Sequence, residues 1–197
     1  MTKEEVDEIM KIPGNVRGEA ILTDFKYVRY RKGGQGLKML EEKLKELGWP
    51  IKLEDIRSME WYPIRMDILK ILIIKEIFNW TDKDIFEMGS FSAKGSFLME
   101  MLMKYFISPQ KSFGESPKYW KKNFDFGELE AHEFNKKKKY IVFRLRNFKT
   151  HPVICANHAG YFLQMAKYVL KSKNITVEET KCMFKGDPYH EYIIRWE

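Results

Sequence analysis

The sequence has few of the residues that form disulfide bonds or bind soft metals: two cysteines and four histidines in 197 residues. Two cysteines cannot build the disulfide framework of a small secreted domain. The longest apolar run, Ile71 to Ile74, is far too short to cross a bilayer. The N-terminus, MTKEEVDEIMK, is charged and lacks the apolar segment of a secretory signal. We therefore expect a cytoplasmic protein that does not enter a membrane.

The motifs of the common enzyme classes are also missing. The sequence contains no Gly-x-Ser-x-Gly elbow, no phosphate-binding loop and no dinucleotide fingerprint. The glycines of RKGGQG lack the Lys-Ser/Thr ending of a phosphate loop and follow no predicted strand. The carboxylates are interspersed with lysines, as on solvated surfaces. These absences favour a protein that is not an enzyme.

The composition is that of a folded protein with a basic surface. Apolar residues make up 44% and aromatic residues 15% of the chain, which is ample for a packed core. The net charge is +7, but the lysines and glutamates are mixed along most of the sequence. The densest basic run, Lys136 to Lys139, separates two apolar-patterned segments, as a hairpin turn does. We therefore do not expect nucleic acid as a partner.

Apolar residues recur at helical spacing through the first half of the chain. Glycines and prolines divide this half into successive helices. The predicted helices run from residue 2 to about 11, from about 21 to 33, from about 37 to 47, from 63 to about 80, from 82 to about 88, and from about 93 to 107. The following segment, SPQKSFGESPKYWKKNFDFGE, is predicted as a loop with a short helix.

The period changes in the second half, where ELEAHEF and KYIVFRLRNF are predicted as one antiparallel pair of strands. A helix follows, and then the strands NITVEETKCMF and YHEYIIRW, joined by KGDP. The order strand-strand-helix-strand-strand predicts an α+β fold, with a helical N-terminal half packed on a small four-stranded antiparallel sheet. We expect a single domain over 1–197, with a flexible or peripheral N-terminal helix (1–15), a helical part (16–126) and a sheet part (127–197).

The C-terminal half contains four residues of the types that bind zinc: Cys155, Glu179, Cys182 and His190. Cys182 and His190 flank a turn, so antiparallel pairing brings them close. Glu179 is three residues before Cys182, which puts the two on opposite faces of a regular strand. A shared site therefore requires a bulge between them or a strand that begins after Glu179. His158, one turn after Cys155 on the same helix, is a rival donor. The alternative is that these side chains simply pack.

The same stretch resembles the C-terminal signature of the vinyl-reductase-type domains, which are predicted to bind hydrocarbons. That signature is a helix with a cysteine and a later glycine, then Glu-x-x-Cys, then Gly-Asp-x-x-Cys and an apolar strand. The matching positions are Cys155, Gly160, Glu179, Cys182, Gly186 and Asp187, with His190 in the place of the last cysteine. The resemblance covers residues 127–197. It implies a structural zinc held by Cys155, Glu179, Cys182 and His190.

The superfamily of these domains also includes haem-based nitric oxide sensors and vesicle-tethering subunits of the TRAPP complex. The resemblance implies a pocket between helices and sheet for a small apolar or aromatic ligand. It also implies a homodimer that signals to another regulatory protein. The candidate pocket residues are aromatic side chains, one methionine and one histidine: Phe97, Met101, Tyr105, His132, Phe134 and Tyr161.

Two other functions stay open, a scaffold that works through protein contacts and a haem-based gas sensor. The haem proteins of the superfamily carry a histidine on a helix and a Tyr-x-Ser-x-Arg motif. This chain has no histidine before Ala131 and has Val142 at the serine position between Tyr140 and Arg144. We therefore expect zinc and no haem, in a non-enzymatic ligand-binding domain.

Overall fold

The computed structural model of the chain describes residues 1, 3–95 and 108–197. Six α-helices lie in this part: α1 (Lys3–Met10), α2 (Gly18–Glu46), α3 (Ile64–Ile77), α4 (Asp82–Gly95), α5 (Pro109–Asn123) and α6 (Val153–Val169). Six strands accompany them: β1 (Asn15–Arg17), β2 (Trp61–Pro63), β3 (Glu128–Asn135), β4 (Tyr140–Arg146), β5 (Ile175–Lys181) and β6 (His190–Trp196). No helix in the described ranges is both long and apolar enough to span a membrane.

The main sheet has four antiparallel strands in the order β3-β4-β6-β5. Alternate residues of the central strands face the helices and are buried, among them Phe143, Leu145, Tyr192 and Ile194. The short strands β1 and β2 form a separate pair within the helical half. The predicted α+β class, with a helical first half and a four-stranded antiparallel sheet in the second, is confirmed.

Helix α2 includes the break that the sequence predicts at its glycine pair. Gly33 has a φ of +68°, which only glycine adopts without strain, and the helix changes direction there. Further along the chain, α5 occupies the segment predicted to be mostly loop. Ser108 caps this helix by accepting a hydrogen bond from the Lys111 backbone N–H at 3.2 Å, and Pro109 suits the first turn.

The apolar helix α3 carries a buried charge cluster. The Lys70 ammonium donates to Asp24 of α2 at 2.7 Å and to Asp67 at 2.5 Å. Burial raises the pKa of Asp24 to about 6. The positive charge of Lys70 opposes this rise, and the negative charge of Asp67 adds to it. Burial disfavours the Lys70 charge, but the two carboxylates outweigh this and raise its pKa. The cluster ties α2 to α3 because separating one member would leave a buried charge unpaired.

Helices α4 and α6 cross at two glycines. A Cβ on Gly160 would lie 1.9 Å from the Phe86 carbonyl oxygen, and one on Gly89 would lie 1.9 Å from that of Asn157. The Ser90 hydroxyl also donates to the Gly160 carbonyl at 2.9 Å. This close approach fixes the position of α6, which carries one of the predicted metal ligands.

We predict that Gly160→Ala destabilises the protein by about 1–3 kcal/mol, the usual cost of forcing extra volume into a packed contact. Gly34→Ala is the matched control, since its added methyl group meets nothing within 4 Å. It should stabilise the helix by up to about 1 kcal/mol through helix propensity. Urea unfolding of both variants measures the difference. If Gly160→Ala were no less stable than Gly34→Ala, α4 and α6 would not cross at Gly160.

Candidate metal centre and internal cavity

The structure brings the four predicted metal ligands together. One donor atom from each of Cys155, Glu179, Cys182 and His190 lies within 4.8 Å of all the others. The Cys155 sulfur is 3.8 Å from the Cys182 sulfur and 3.9 Å from the Nδ1 atom of His190. The same Nδ1 atom is 2.8 Å from the Glu179 Oε1 atom. Two sulfurs, one imidazole nitrogen and one carboxylate oxygen are a donor set that zinc accepts.

Local features of the C-terminal hairpin create this convergence. The pairing of β5 with β6 shifts register between Glu179 and Lys181, which is the bulge that the spacing of Glu179 and Cys182 requires. After Cys182 the chain makes a 3-10 turn and passes through Gly186 with a φ of +96°. The Asp187 carboxylate then accepts a hydrogen bond from the Cys182 backbone N–H at 2.8 Å. The Gly-Asp pair therefore holds Cys182 in place.

The centre is largely closed to water. His190 is 1% exposed and Cys182 6% exposed. Burial, followed by the charges of Glu179 and Cys182, raises the pKa of the Cys155 thiol far above its usual range. The Tyr192 hydroxyl also has a raised pKa, because of its burial and then of Glu179 beside it. A bound cation would stabilise two thiolates and a carboxylate at these short separations. The four residues therefore fit a zinc ion.

A cavity of about 160 Å³ lies between the helices and the sheet. An apolar cavity of roughly 150 Å³ suffices to bind benzene. Seven aromatic residues line the cavity, contributed by α5 and the residue after it, by β4 and by α6: Phe113, Tyr119, Trp120, Phe124, Phe143, Tyr161 and Phe162. Burial raises the pKa of Tyr161 to about 12, so its hydroxyl stays protonated.

The opposite end of the cavity is acidic. Glu19, Asp24 and Asp67 line it, all at most 5% exposed, and the described lining includes no lysine or arginine. Lys70 lies behind this wall and is shared by two of the carboxylates. Because one ammonium cannot neutralise both of them, the cavity favours hydrogen-bond donors and positive charge at this end.

His158 of α6 also lines the cavity and is 6% exposed. Its ring packs among Trp120, Phe124, Phe148 and Phe162, with centroids 5.4 to 6.2 Å away. Burial, assisted by the charge of His190, lowers its pKa to about 3. The imidazole is therefore neutral at physiological pH and can accept a hydrogen bond or bind a metal.

Of the six predicted ligand-binding residues, one lines the cavity, two lie elsewhere on the protein and three fall outside the described residues. Tyr161 lines the cavity. His132 lies on the outer face of β3, hydrogen-bonded to Glu130, and Phe134 packs against Phe113 and Trp196 outside the described lining. The other three, Phe97, Met101 and Tyr105, lie outside the described residues. The ligand site as a set stays a prediction.

Sequence reasoning missed several cavity residues. Trp120 and Phe124 were assigned to a loop, although α5 and the residue that ends it place both rings in the wall. Asp67 was overlooked, although a carboxylate three residues before a lysine in an otherwise apolar helix signals a buried ion pair. His158 was considered only as a rival metal ligand, whereas it faces the cavity.

No protein-family profile and no curated protein matches the chain. Solved structures do match over nearly its full length. An H-NOX protein from S. oneidensis in the Fe(II)NO ligation state has 15% sequence identity and a TM-score of 0.70, covering 92% of this chain and 99% of that chain. The H-NOX domain from Shewanella oneidensis in the Fe(II)CO ligation state has 14% identity and a TM-score of 0.69, covering 92% and 98%. A third structure, from work on haem distortion in the H-NOX family, has 16% identity and a TM-score of 0.65, covering 92% and 95%.

The comparison corrects the expectation that the fold carries no haem. That expectation rested on a missing Tyr-x-Ser-x-Arg motif and on the absence of histidine before Ala131. The chain nevertheless matches structures with Fe(II)NO and Fe(II)CO over 92% of its length. That expectation was wrong because it considered only histidines before Ala131, whereas His158 of α6 lines the cavity. The vinyl-reductase-type assignment stays a prediction, whereas the H-NOX fold of this chain is established.

Proposed function

We propose that this chain is a non-enzymatic sensor domain that binds a haem cofactor or a small ligand in the cavity between its helices and its sheet. The observation that carries the proposal is the aromatic cavity with the buried His158, set in the fold of H-NOX domains. The cavity of about 160 Å³ is smaller than the roughly 300 Å³ typical of a ligand pocket, so a scaffold that works through protein contacts stays the alternative. A cytoplasmic location, a homodimer and a downstream regulatory protein stay predictions.

Haem is the cofactor that the fold favours. His158 would hold the iron, while the surrounding rings of Trp120, Phe124 and Phe162 would exclude water. Bound haem supplies an iron to which a diatomic gas can bind, and the polarity of the pocket tunes that binding. The described lining offers an imidazole for the iron and aromatic rings for the macrocycle, but its volume of about 160 Å³ is near that of a benzene site. The cavity would therefore have to widen to admit haem, and it offers the haem carboxylates no cationic partner.

We predict that the purified protein takes up about one equivalent of haemin, giving the intense absorption band of a histidine-ligated haem. After reduction of the iron with dithionite, this band should shift on addition of carbon monoxide. His158→Ala should weaken binding and shift the band, because the imidazole is lost. His132→Ala is the control, since His132 lies outside the cavity lining. Equal spectra for wild type and His158→Ala would refute His158 as the iron ligand. Failure of the wild type to bind haemin would refute the haem cofactor.

A small aromatic molecule that binds directly is the second candidate, favoured by the size of the cavity and by its acidic end. Benzylamine and benzoate test this candidate because they match in size and differ in the sign of their charge. Benzylamine should raise the melting temperature, since its ring suits the aromatic wall and its ammonium faces Asp24 and Asp67. Benzoate should have no effect. Stabilisation by benzoate alone, measured by calorimetry, would contradict the charge argument.

We further propose that Cys155, Glu179, Cys182 and His190 hold a structural zinc that joins α6 to the last hairpin. Their mutual distances and their burial support this assignment. Four protein ligands would leave no open position for a substrate, so the metal would stabilise the fold rather than perform chemistry.

We predict about one zinc per chain after metal-replete purification, as for other four-ligand sites. Cys182→Ser should lose the metal, whereas His151→Ala should keep it because His151 lies outside the cluster. Zinc affinity should fall as pH falls, since protons compete for the thiolates and the imidazole. The raised pKa of Cys155 in the metal-free site makes this competition strong. Elemental analysis of dialysed samples at several pH values measures the zinc content per chain and its dependence on pH. A zinc-free wild type would rule out the site.

A further inference from the structure

Two lysine-rich loops meet at one end of the main sheet. The first joins β3 to β4, and the second joins α6 to β5. Both loops lie against the end of β6. The Lys139 carbonyl accepts a hydrogen bond from the Trp196 backbone N–H at 3.1 Å, and the Asn174 carbonyl accepts one from the Glu197 N–H at 3.3 Å. The exposed cations gathered here, called the basic end, are Lys136, Lys137, Lys138, Lys139, Lys171, Lys173 and Arg195.

The positive charges of the basic end are not compensated. In the part of the chain that the structure describes, none of these cations forms an ion pair. Two nearby carboxylates bind neutral groups instead, since Glu133 accepts from a tyrosine hydroxyl and Glu197 from an asparagine amide. Exposed lysines elsewhere, such as Lys38, Lys52 and Lys118, lie 2.8 to 3.8 Å from glutamates. The basic end therefore attracts anions in a way that these paired lysines do not.

The basic end also adjoins the wall of the cavity. Ile141, Val169 and Ile194 line the cavity. Each of them is one or two residues along the chain from a cation of the basic end. A ligand that displaced this wall would shift the attached loops, because packed interiors transmit strain. The surface is therefore placed where a partner could detect what the cavity contains.

We propose that the basic end binds an acidic segment of the partner protein to which this domain signals. Complementary charge steers such a segment to the surface and sets its orientation there. The signalling role of the partner rests on the proposed sensor function, whereas the binding of an acidic segment rests on the uncompensated charges of the two loops.

The aromatic residues at this end favour a protein over a membrane or a nucleic acid. Phe134, Tyr140 and Trp196 are half-buried. Phe134 packs against Trp196 at 5.9 Å between ring centroids, and the Arg195 guanidinium lies 5.8 Å from the Tyr140 ring. These three rings are therefore held against the protein rather than projecting for insertion into lipid or for stacking on bases. An acidic protein segment needs only the charges.

A labelled peptide of about ten glutamates is the probe, and its fluorescence anisotropy with the full chain at about 100 mM salt measures binding. One variant combines Lys137→Gln, Lys138→Gln and Lys173→Gln, which removes charge from both loops. We expect it to bind the peptide about 10-fold more weakly than the wild type, because exposed ion pairs each contribute little but add up. Raising the salt concentration should weaken binding by the wild type, since exposed charges are screened.

The matched control combines Lys38→Gln, Lys52→Gln and Lys118→Gln, which removes the same net charge from exposed positions outside the basic end. It should bind the peptide within about 2-fold of the wild type, because charges beyond about 10 Å are largely screened at this salt concentration. Melting temperatures of both variants control for folding.

Three results would overturn the proposal. The first is a wild type that does not bind the peptide, and the second is an equal loss of affinity in the two variants. The third is tighter binding of phosphatidylserine vesicles or of an oligonucleotide than of the peptide at the same salt concentration. The assay contains neither haemin nor benzylamine, so its result is independent of the tests of the cavity.

Discussion

The close crossing of α4 and α6 at Gly89 and Gly160 is the constraint on which the rest of the site depends. Backbone meets backbone there, so α6 cannot rotate or slide without a clash. The fixed helix presents Cys155 to the last hairpin and, further along, His158 and Tyr161 to the cavity. The candidate metal ligands and the cavity therefore share one helix.

Two kinds of buried charge compensation stabilise the structure. In the helical half, Lys70 lies between two carboxylates and joins α2 to α3. In the sheet half, thiols, a carboxylate and an imidazole meet in a closed site where a metal cation would take the role that Lys70 has in the other cluster. The first cluster contains its own cation, whereas the second brings four metal-binding donor atoms within 4.8 Å of one another with no cationic side chain among them.

The sequence predicted the sheet half best, because its strands alternate with period two and its turns carry Gly-Asp or a lysine run. The spacing of Glu179 and Cys182 indicated that a shared site requires a bulge or a late strand start, and the structure has the bulge. Helix α5 was missed because its prolines, glycine and serines are typical of loops, while a serine cap and burial of Trp120 stabilise the helix. The resemblance implied a pocket between helices and sheet, but most residues of its wall were not predictable, since Asp24, Trp120 and His158 meet only through long-range packing.

In the proposed metal site, the C-terminal donors bind one zinc ion beside the helix that also lines the cavity. X-ray absorption at the zinc edge of the zinc-loaded wild type tests this assignment, because it measures donor types and distances. We predict two sulfur neighbours at about 2.3 Å and two nitrogen or oxygen neighbours at about 2.0–2.2 Å. A spectrum with nitrogen and oxygen neighbours only would mean that the zinc lies elsewhere on the protein and would contradict the account.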